Sequence, residues 1–226
     1  MASTRATPRA GFTLVELLVV LAVIAIFVGV FATALRPGSP TVAVEGGQSQ
    51  VASLLTQARG VAVLKGSPTR LIIHADPYNR DRFLRFAGIV YRDEDTGEWE
   101  PAMDGITLPN GVYFVPPAVP GADGVGTTDD DWDSRVVSRF SDTDTEMNEA
   151  YISNEGEDYY YVEFDERGLV PQDATSGSPI VSVATGQPGS DGAGVNFDNS
   201  AVARGAILRQ YGSFVLLNSE SAYPTS

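Results

Sequence analysis

Hydrophobic residues are distributed along this chain in three regimes. From Phe12 to Leu35 they are almost continuous, 24 residues in which Glu16 is the single formal charge. At the ~1.5 Å rise per residue of an α-helix, such a run is long enough to cross a hydrocarbon layer of roughly 30 Å. From about Gln48 to Leu64 the apolar positions are spaced instead: Val51, Leu54, Leu55, Ala58, Val61 and Ala62 recur at helical intervals, while Gln50, Gln57 and Arg59 face elsewhere. This predicts an amphipathic helix that covers a core and stops at Gly66-Ser67-Pro68.

Beyond Thr69 the pattern becomes that of strands. Arg70 to His74, Phe83 to Tyr91 and Ile106 to Val115 are separated by turn residues at Asp76-Pro77-Tyr78-Asn79 and Asp95-Thr96-Gly97. In Asp158 to Phe164, Tyr160, Val162 and Phe164 alternate with Tyr159, Tyr161 and Glu163. Pro179 to Ala184, then Ala203 to Arg209 and Ser213 to Asn218 around Tyr211-Gly212, complete an antiparallel set. The fold class expected is α+β, with the second helix packed on a mainly antiparallel β-domain. Between the first two regimes, Arg36-Pro37-Gly38-Ser39-Pro40 and Gly46-Gly47 should interrupt or kink any helix that continues from the apolar run.

The flanks of the apolar run orient it. Arg5 and Arg9 precede it without an acid, so that segment stays cytoplasmic and the chain after Arg36 is exported. A carboxylate near the start of such a helix costs on the order of a few kcal/mol in lipid unless something pairs with it. An export signal that is removed is a second reading of the run, with Ala32-Thr33-Ala34 as an A-x-A cleavage site. A plain signal anchor, with Glu16 close enough to the headgroups to reach water, is a third. Against the removable signal, the run exceeds the 7 to 15 residues of an ordinary signal core and carries Glu16 in its first turns.

Gly11-Phe12-Thr13-Leu14-Val15-Glu16-Leu17 resembles the prepilin-peptidase site of type IV pilins and type II secretion pseudopilins. The resemblance implies a leader of residues 1–11 cut after Gly11, N-methylation of the new amino-terminal Phe12, and Glu16 as the carboxylate that guides assembly. It implies prepilin peptidase, other pilin subunits and an inner-membrane assembly platform as partners. It also implies a single-pass location in the bacterial cytoplasmic membrane, with the globular part periplasmic. The chemistry is coherent: a small residue at the cut lets backbone approach closely, and the new amine, with an ordinary pKa of about 8, lies one helical turn from Glu16. A neighbouring subunit displaced along the axis would bring its amine to this carboxylate, so that two charges costly in lipid become one pair.

Leu54-Leu55, Ala58-Arg59, Ala62-Val63, Lys65-Gly66 and Thr69-Arg70-Leu71-Ile72 are similar to a segment of the GspH/FimT minor pseudopilins and minor pilins. Phe164 to Val170, and Arg204 to Arg209 followed by Gly212 to Val215, resemble late strands of the same subgroup. The implied organisation is leader 1–11, transmembrane and assembly helix 12–36, and an exported globular domain 37–226. That domain would hold the helix at about 48–64 and a β-rich part at 69–226, interrupted by an acidic loop region at about 116–158.

Composition narrows the alternatives. Of 226 residues, 29 are acidic and 15 are Lys or Arg, and without Arg5 and Arg9 the net charge moves from −14 to −16. So acidic a surface disfavours nucleic acid and anionic membrane faces as principal partners. Minor pilins of the FimT kind that bind DNA do so through basic carboxy-terminal residues, whereas here Arg204 and Arg209 are the only cations after Arg167. The absence of cysteine excludes disulfides and lipoprotein anchoring.

The candidates for site chemistry are few. Asp129-Asp130-Asp131-Trp132-Asp133 and Asp142 to Glu149 have the oxygen density for calcium, which some pilin-class proteins use, but not the spacing of an EF-hand loop. A solvated acidic loop is the expectation, with no cofactor. His74 is the single histidine, and no G-x-S-x-G, H-E-x-x-H or P-loop is present, so no enzyme is expected. Tyr159-Tyr160-Tyr161 and Trp132 could form an aromatic ligand surface, although tyrosines filling both faces of a strand explain the triplet more simply. The alternative to a filament subunit is a signal-anchored or secreted acidic β-domain that binds an extracellular ligand or polymer.

Overall fold

A computed structural model describes residues 14–34, 39–117, 136, 138–144, 158–171, 177–189 and 194–224, with side chains omitted for 28–34 and 141–144. The chain divides into two compact units, residues 1–38 and 39–226. The first contains one helix, α1, Leu14–Ala34. The second contains helix α2 and eleven described strands, β1 to β11, and its hydrophobic core is built wholly from its own residues, Val44 to Tyr223. It therefore has what it needs to fold by itself.

Helix α2 runs Pro40–Lys65, starting well before the position near Gln48 that periodicity suggests. Pro40 sits at the first helical position, where its missing N–H costs nothing, and the Ser39 carbonyl accepts from the Val42 and Ala43 N–H groups. Gly66, in the left-handed region at φ 66°, ends the helix by donating to the Ala62 carbonyl, and Pro68 follows. Val44, Gly47, Gln48, Val51, Leu54, Leu55, Ala58 and Ala62 form the buried stripe. Gly46-Gly47 thus lies within the helix and does not interrupt it. The reason is close packing: a Cβ on Gly47 would stand 3.0 Å from Val112 Cγ1, so the missing side chain lets the helix approach the sheet. The kink expected at Arg36-Pro37-Gly38 falls on residues outside those described.

The strands form two antiparallel sheets. In the first, the order is β3 (Trp99–Pro101), β2 (Phe86–Arg92), β1 (Thr69–His74), β7 (Tyr159–Phe164) and β6 (Ser141–Asp144), with β4 (Ile106–Thr107) also on β2. In the second, the order is β11 (Phe214–Leu217), β10 (Arg204–Leu208), β8 (Ile180–Pro188) and β5 (Val112–Phe114), with β9 (Val195–Phe197) on β8. Every described strand pairing is antiparallel. The single strand expected over Ile106 to Val115 is split into β4 and β5 because the chain changes sheets there. Pro109-Asn110-Gly111 turns it, and Arg85 Nη2 donates to the Leu108 carbonyl and Asn110 Oδ1. Likewise the strand expected from Phe83 begins at Phe86, because Leu84 adopts φ 52° while its N–H donates to the His74 carbonyl.

Helix α2 packs on both sheets, and buried Leu71, Ile73, Ile89, Phe164, Val183, Ala206 and Leu208 belong to the same core as its stripe. Burying each large aliphatic side chain contributes about 1.5–3 kcal/mol, before ordering entropy is subtracted. Gln48 is the polar member of the stripe. Its Nε2 donates to the Gly205 and Leu217 carbonyls at 2.8 and 3.1 Å, which fastens α2 to β10 and β11. The opposite face of the first sheet carries a smaller cluster of Ile72, Val90 and Tyr159 with Phe86, Trp99 and Tyr161 around it. Arg70 is held there between the Trp99 and Tyr161 rings, 4.2 and 3.9 Å from their centroids, and its Nε donates to Glu163 Oε2 at 2.7 Å.

Two stability measurements follow from this packing. Gly46 has open space where a Cβ would be, so Gly46→Ala should stabilise the unit 39–226 by about 1 kcal/mol in denaturant unfolding, the usual helix gain over glycine. Gly47→Ala should give no such gain, because Val112 is in the way. Burial pushes the Tyr223 phenol up to about 12. Below pH 10 the phenol is neutral in both the folded and the unfolded chain; between about 10 and 12 only the unfolded chain ionises. Stability should therefore fall across that window by roughly 2–3 kcal/mol on account of this residue, and Tyr223→Phe should remove that part of the slope.

Candidate functional site: the apolar amino-terminal helix

Every residue of α1 whose side chain is described, Leu14 to Phe27, is exposed, from Leu14 at 80 % to Phe27 at 61 %. All of them are apolar except Glu16. A helix that is apolar around its whole circumference lacks the polar face that a soluble helix turns to water, and it is stable only when lipid or other apolar helices surround it. Leucine, valine, alanine and isoleucine dominate it, and no charged residue follows Glu16 within it. At ~1.5 Å per residue the 21 residues of α1 extend roughly 30 Å. Among the described residues, no helix is long and apolar enough to cross a membrane, the described side chains of α1 ending at Phe27.

Glu16 lies in the first turn of α1. There its carboxylate lies at the positive end of the helix dipole. Gly11 and Phe12, the expected cleavage pair, lie outside the described residues, as do Asp129 to Asp133 with Trp132 and the segment 145–149 of the second acidic stretch. Asp142 to Asp144 belong to β6. Ala32-Thr33-Ala34 forms the last turn of α1. Among the described residues, no group of three or more His, Asp or Glu side chains is arranged to hold a metal ion.

The remaining sequence candidates are placed by the sheets. His74 is fully buried on β1, edge-on to Tyr159 with ring centroids 5.3 Å apart. The tyrosine triplet is divided between the two faces of β7. Tyr159 and Tyr161 join the outer cluster around Arg70, whereas Tyr160 turns to the main core and stacks on Phe140 at 5.5 Å. Burial raises the Tyr160 phenol above its ordinary value. Arg204 is engaged with backbone, donating to the Ala203 carbonyl at 3.0 Å. In the turn after β7, burial alone would push the Asp165 carboxyl up, but N–H groups of Leu169 and Arg167 and the Arg167 guanidinium hold it below the usual range.

Sequence reasoning located α1 but offered no signal for the Arg70 sandwich. Trp99 comes from β3, a strand not anticipated, and its approach to Arg70 depends on the pairing of β3 with β2.

Comparisons with known proteins bear on this helix. Two solved structures of the minor pseudopilin EpsH from the type 2 secretion system of Vibrio cholerae align with the chain. One does so at 12% identity and TM-score 0.40, covering 77% of this chain and 96% of that one. The other does so at 13% identity and TM-score 0.43, covering 80% of this chain and 97% of that one. Likeness at that level says nothing by itself about function. Comparison with curated proteins returns no match. The family described as the prokaryotic N-terminal methylation motif matches residues 7–32. The chain thus carries that motif across its apolar helix, on the same residues that resemble the amino terminus of type IV pilins and pseudopilins.

Proposed function

We propose that this chain is a minor pseudopilin or minor pilin of the GspH/FimT kind, a structural subunit of a type II secretion pseudopilus or a type IV pilus. The observation that carries the reading is the methylation motif at residues 7–32 on a helix exposed and apolar on all sides, followed by a separate compact unit. Prepilin peptidase would remove residues 1–11 after Gly11, and the new amine at Phe12 would be methylated. Residues 12–36 would anchor the subunit in the cytoplasmic membrane and then join the filament, while the unit that follows is exported.

The role is mechanical. Packing of apolar helices supplies adhesion between subunits, and it is not directional along the helix axis, so it leaves axial register open. A charge pair sets register, because it is lost when the helices slip by a turn. Glu16, one turn from Phe12, meets the Phe12 amine of an axially displaced neighbour, and each charge relieves the other's cost in a medium of low dielectric. The platform in the inner membrane and a separate ATPase would supply the force. No step calls on a catalytic group or a cofactor in this chain.

Mass spectrometry of the mature protein from its native cell tests the reading. The expected amino terminus is N-methyl-Phe12. A mature chain beginning at Leu35 would mean that the apolar segment is a removable export signal, and the exported unit would then be a secreted β-domain. Glu16→Ala should leave cleavage after Gly11 intact while recovery of the subunit with filaments falls about tenfold, the effect of losing roughly 1.4 kcal/mol of pairing. Undiminished recovery would sink the charge-register account.

A further inference from the structure

Asn110-Gly111 is the single Asn-Gly pair in the chain, and it sits in the turn where the chain passes from the first sheet to the second. The Val112 N–H donates to the Pro109 carbonyl at 3.1 Å, and the Gly111 carbonyl accepts from the Gly186 N–H at 3.0 Å. Both bonds leave the Gly111 N–H aside, and among the described residues nothing accepts it. Gly111 adopts φ 77° with open space where a Cβ would stand, and Asn110 is exposed. The amide nitrogen that follows the asparagine is therefore unscreened by a side chain of its own and uncommitted in hydrogen bonding.

The side chain of Asn110 meets Arg85. Arg85 Nη2 donates to Asn110 Oδ1 at 2.8 Å and to the Leu108 carbonyl at 3.0 Å. A guanidinium only donates, so it takes the amide oxygen and has no use for Nδ2, itself a donor. Arg85 Nε, the neighbouring arm of the same fork, is buried and has no acceptor among the described residues. Nε and Nη2 side by side fit the two oxygens of a carboxylate, whereas an amide serves one arm alone. The turn thus holds an asparagine against an arginine that is matched to an aspartate.

We propose that Asn110 is a self-modification site: it deamidates through attack by the Gly111 nitrogen, and the aspartate formed closes the fork of Arg85. Base takes the Gly111 amide proton, and the nitrogen bonds to Asn110 Cγ. The π electron pair of the Cγ–Oδ1 bond moves onto Oδ1, where Arg85 Nη2 meets the charge as a donor already in place does for an oxyanion. When the carbonyl re-forms, the Cγ–Nδ2 bond breaks and Nδ2 leaves as ammonia, taking its third proton from water. Water then opens the cyclic imide. Addition at Cγ gives aspartate on an unchanged backbone, and addition at the main-chain carbonyl carbon gives isoaspartate, one methylene longer in the main chain. The sum is one water in and one ammonia out, with no change of oxidation state. The aspartate product bonds both arms of the fork with charged acceptors and so fastens the crossing between the sheets. The isoaspartate product displaces the two backbone bonds of the turn and loosens it. Nothing in the reaction depends on how α1 is processed or packed.

Incubation of the unit 39–226 at mildly alkaline pH, followed by mass spectrometry of its peptides, tests the chemistry. The peptide that contains Asn110 should gain one mass unit at least about tenfold faster than those that contain Asn79, Asn196, Asn199 or Asn218, because only there is the attacking nitrogen open. The rate should rise with pH, and Asn110→Gln should abolish the gain. A gain at Asn110 no faster than at the other four overturns the proposal. Stability tests the fork: Asn110→Asp should raise the folding equilibrium constant about fivefold in denaturant unfolding near neutral pH, and the same change made with Arg85→Gln should raise it not at all. No gain with Arg85 present, or an equal gain without it, overturns the assignment to Arg85.

Discussion

The stripe of α2 is the feature on which the unit 39–226 depends. A single helix, Pro40–Lys65, packs on strands of both sheets, and its buried residues share one core with theirs. That arrangement accounts for several local choices. Gly47 is small because the helix passes close over Val112 there. Gln48 is polar because it bridges two carbonyls, and buried carbonyls left without donors would each cost about 1–3 kcal/mol. The chain crosses from one sheet to the other at Pro109 to Gly111, where Arg85 ties the crossing to the turn before β2.

Helix α1 follows an opposite logic. Where α2 has one buried face and one wet face, α1 has no polar face at all, so its stability lies outside the chain, in lipid or in other helices. On the proposed reading Glu16 has a meaning that an acid on α2 would not have: in a medium that penalises isolated charge, it would select the neighbours and registers in which a cation can reach it. Adhesion and specificity would thereby be divided between the apolar surface and one carboxylate.

The two sheets also differ in how their outer surfaces are finished. The first covers its far face with aromatic rings clamped on Arg70, a cation–π and ion-pair arrangement that keeps a guanidinium on an otherwise apolar surface. The second ends on β11, short and uncharged.

Much of this was legible beforehand, for identifiable reasons. An uninterrupted apolar run needs no tertiary information to be recognised, and neither does the helical spacing of Val51, Leu54, Leu55, Ala58 and Ala62 or the alternation in β7. Each is a local period imposed by backbone geometry. The glycine-aromatic-Glu pattern of residues 11–16 is likewise local, which is why the candidate site could be found from residues alone. Only the tertiary structure decided where Gly46-Gly47 would go, because a glycine pair is a helix breaker in isolation and a close-packing device when a sheet lies against it. It also decided that Ile106 to Val115 serves two sheets, and that Arg70, Trp99 and Tyr161 meet. Those outcomes rest on contacts between residues far apart in sequence, and local periodicity carries no record of them.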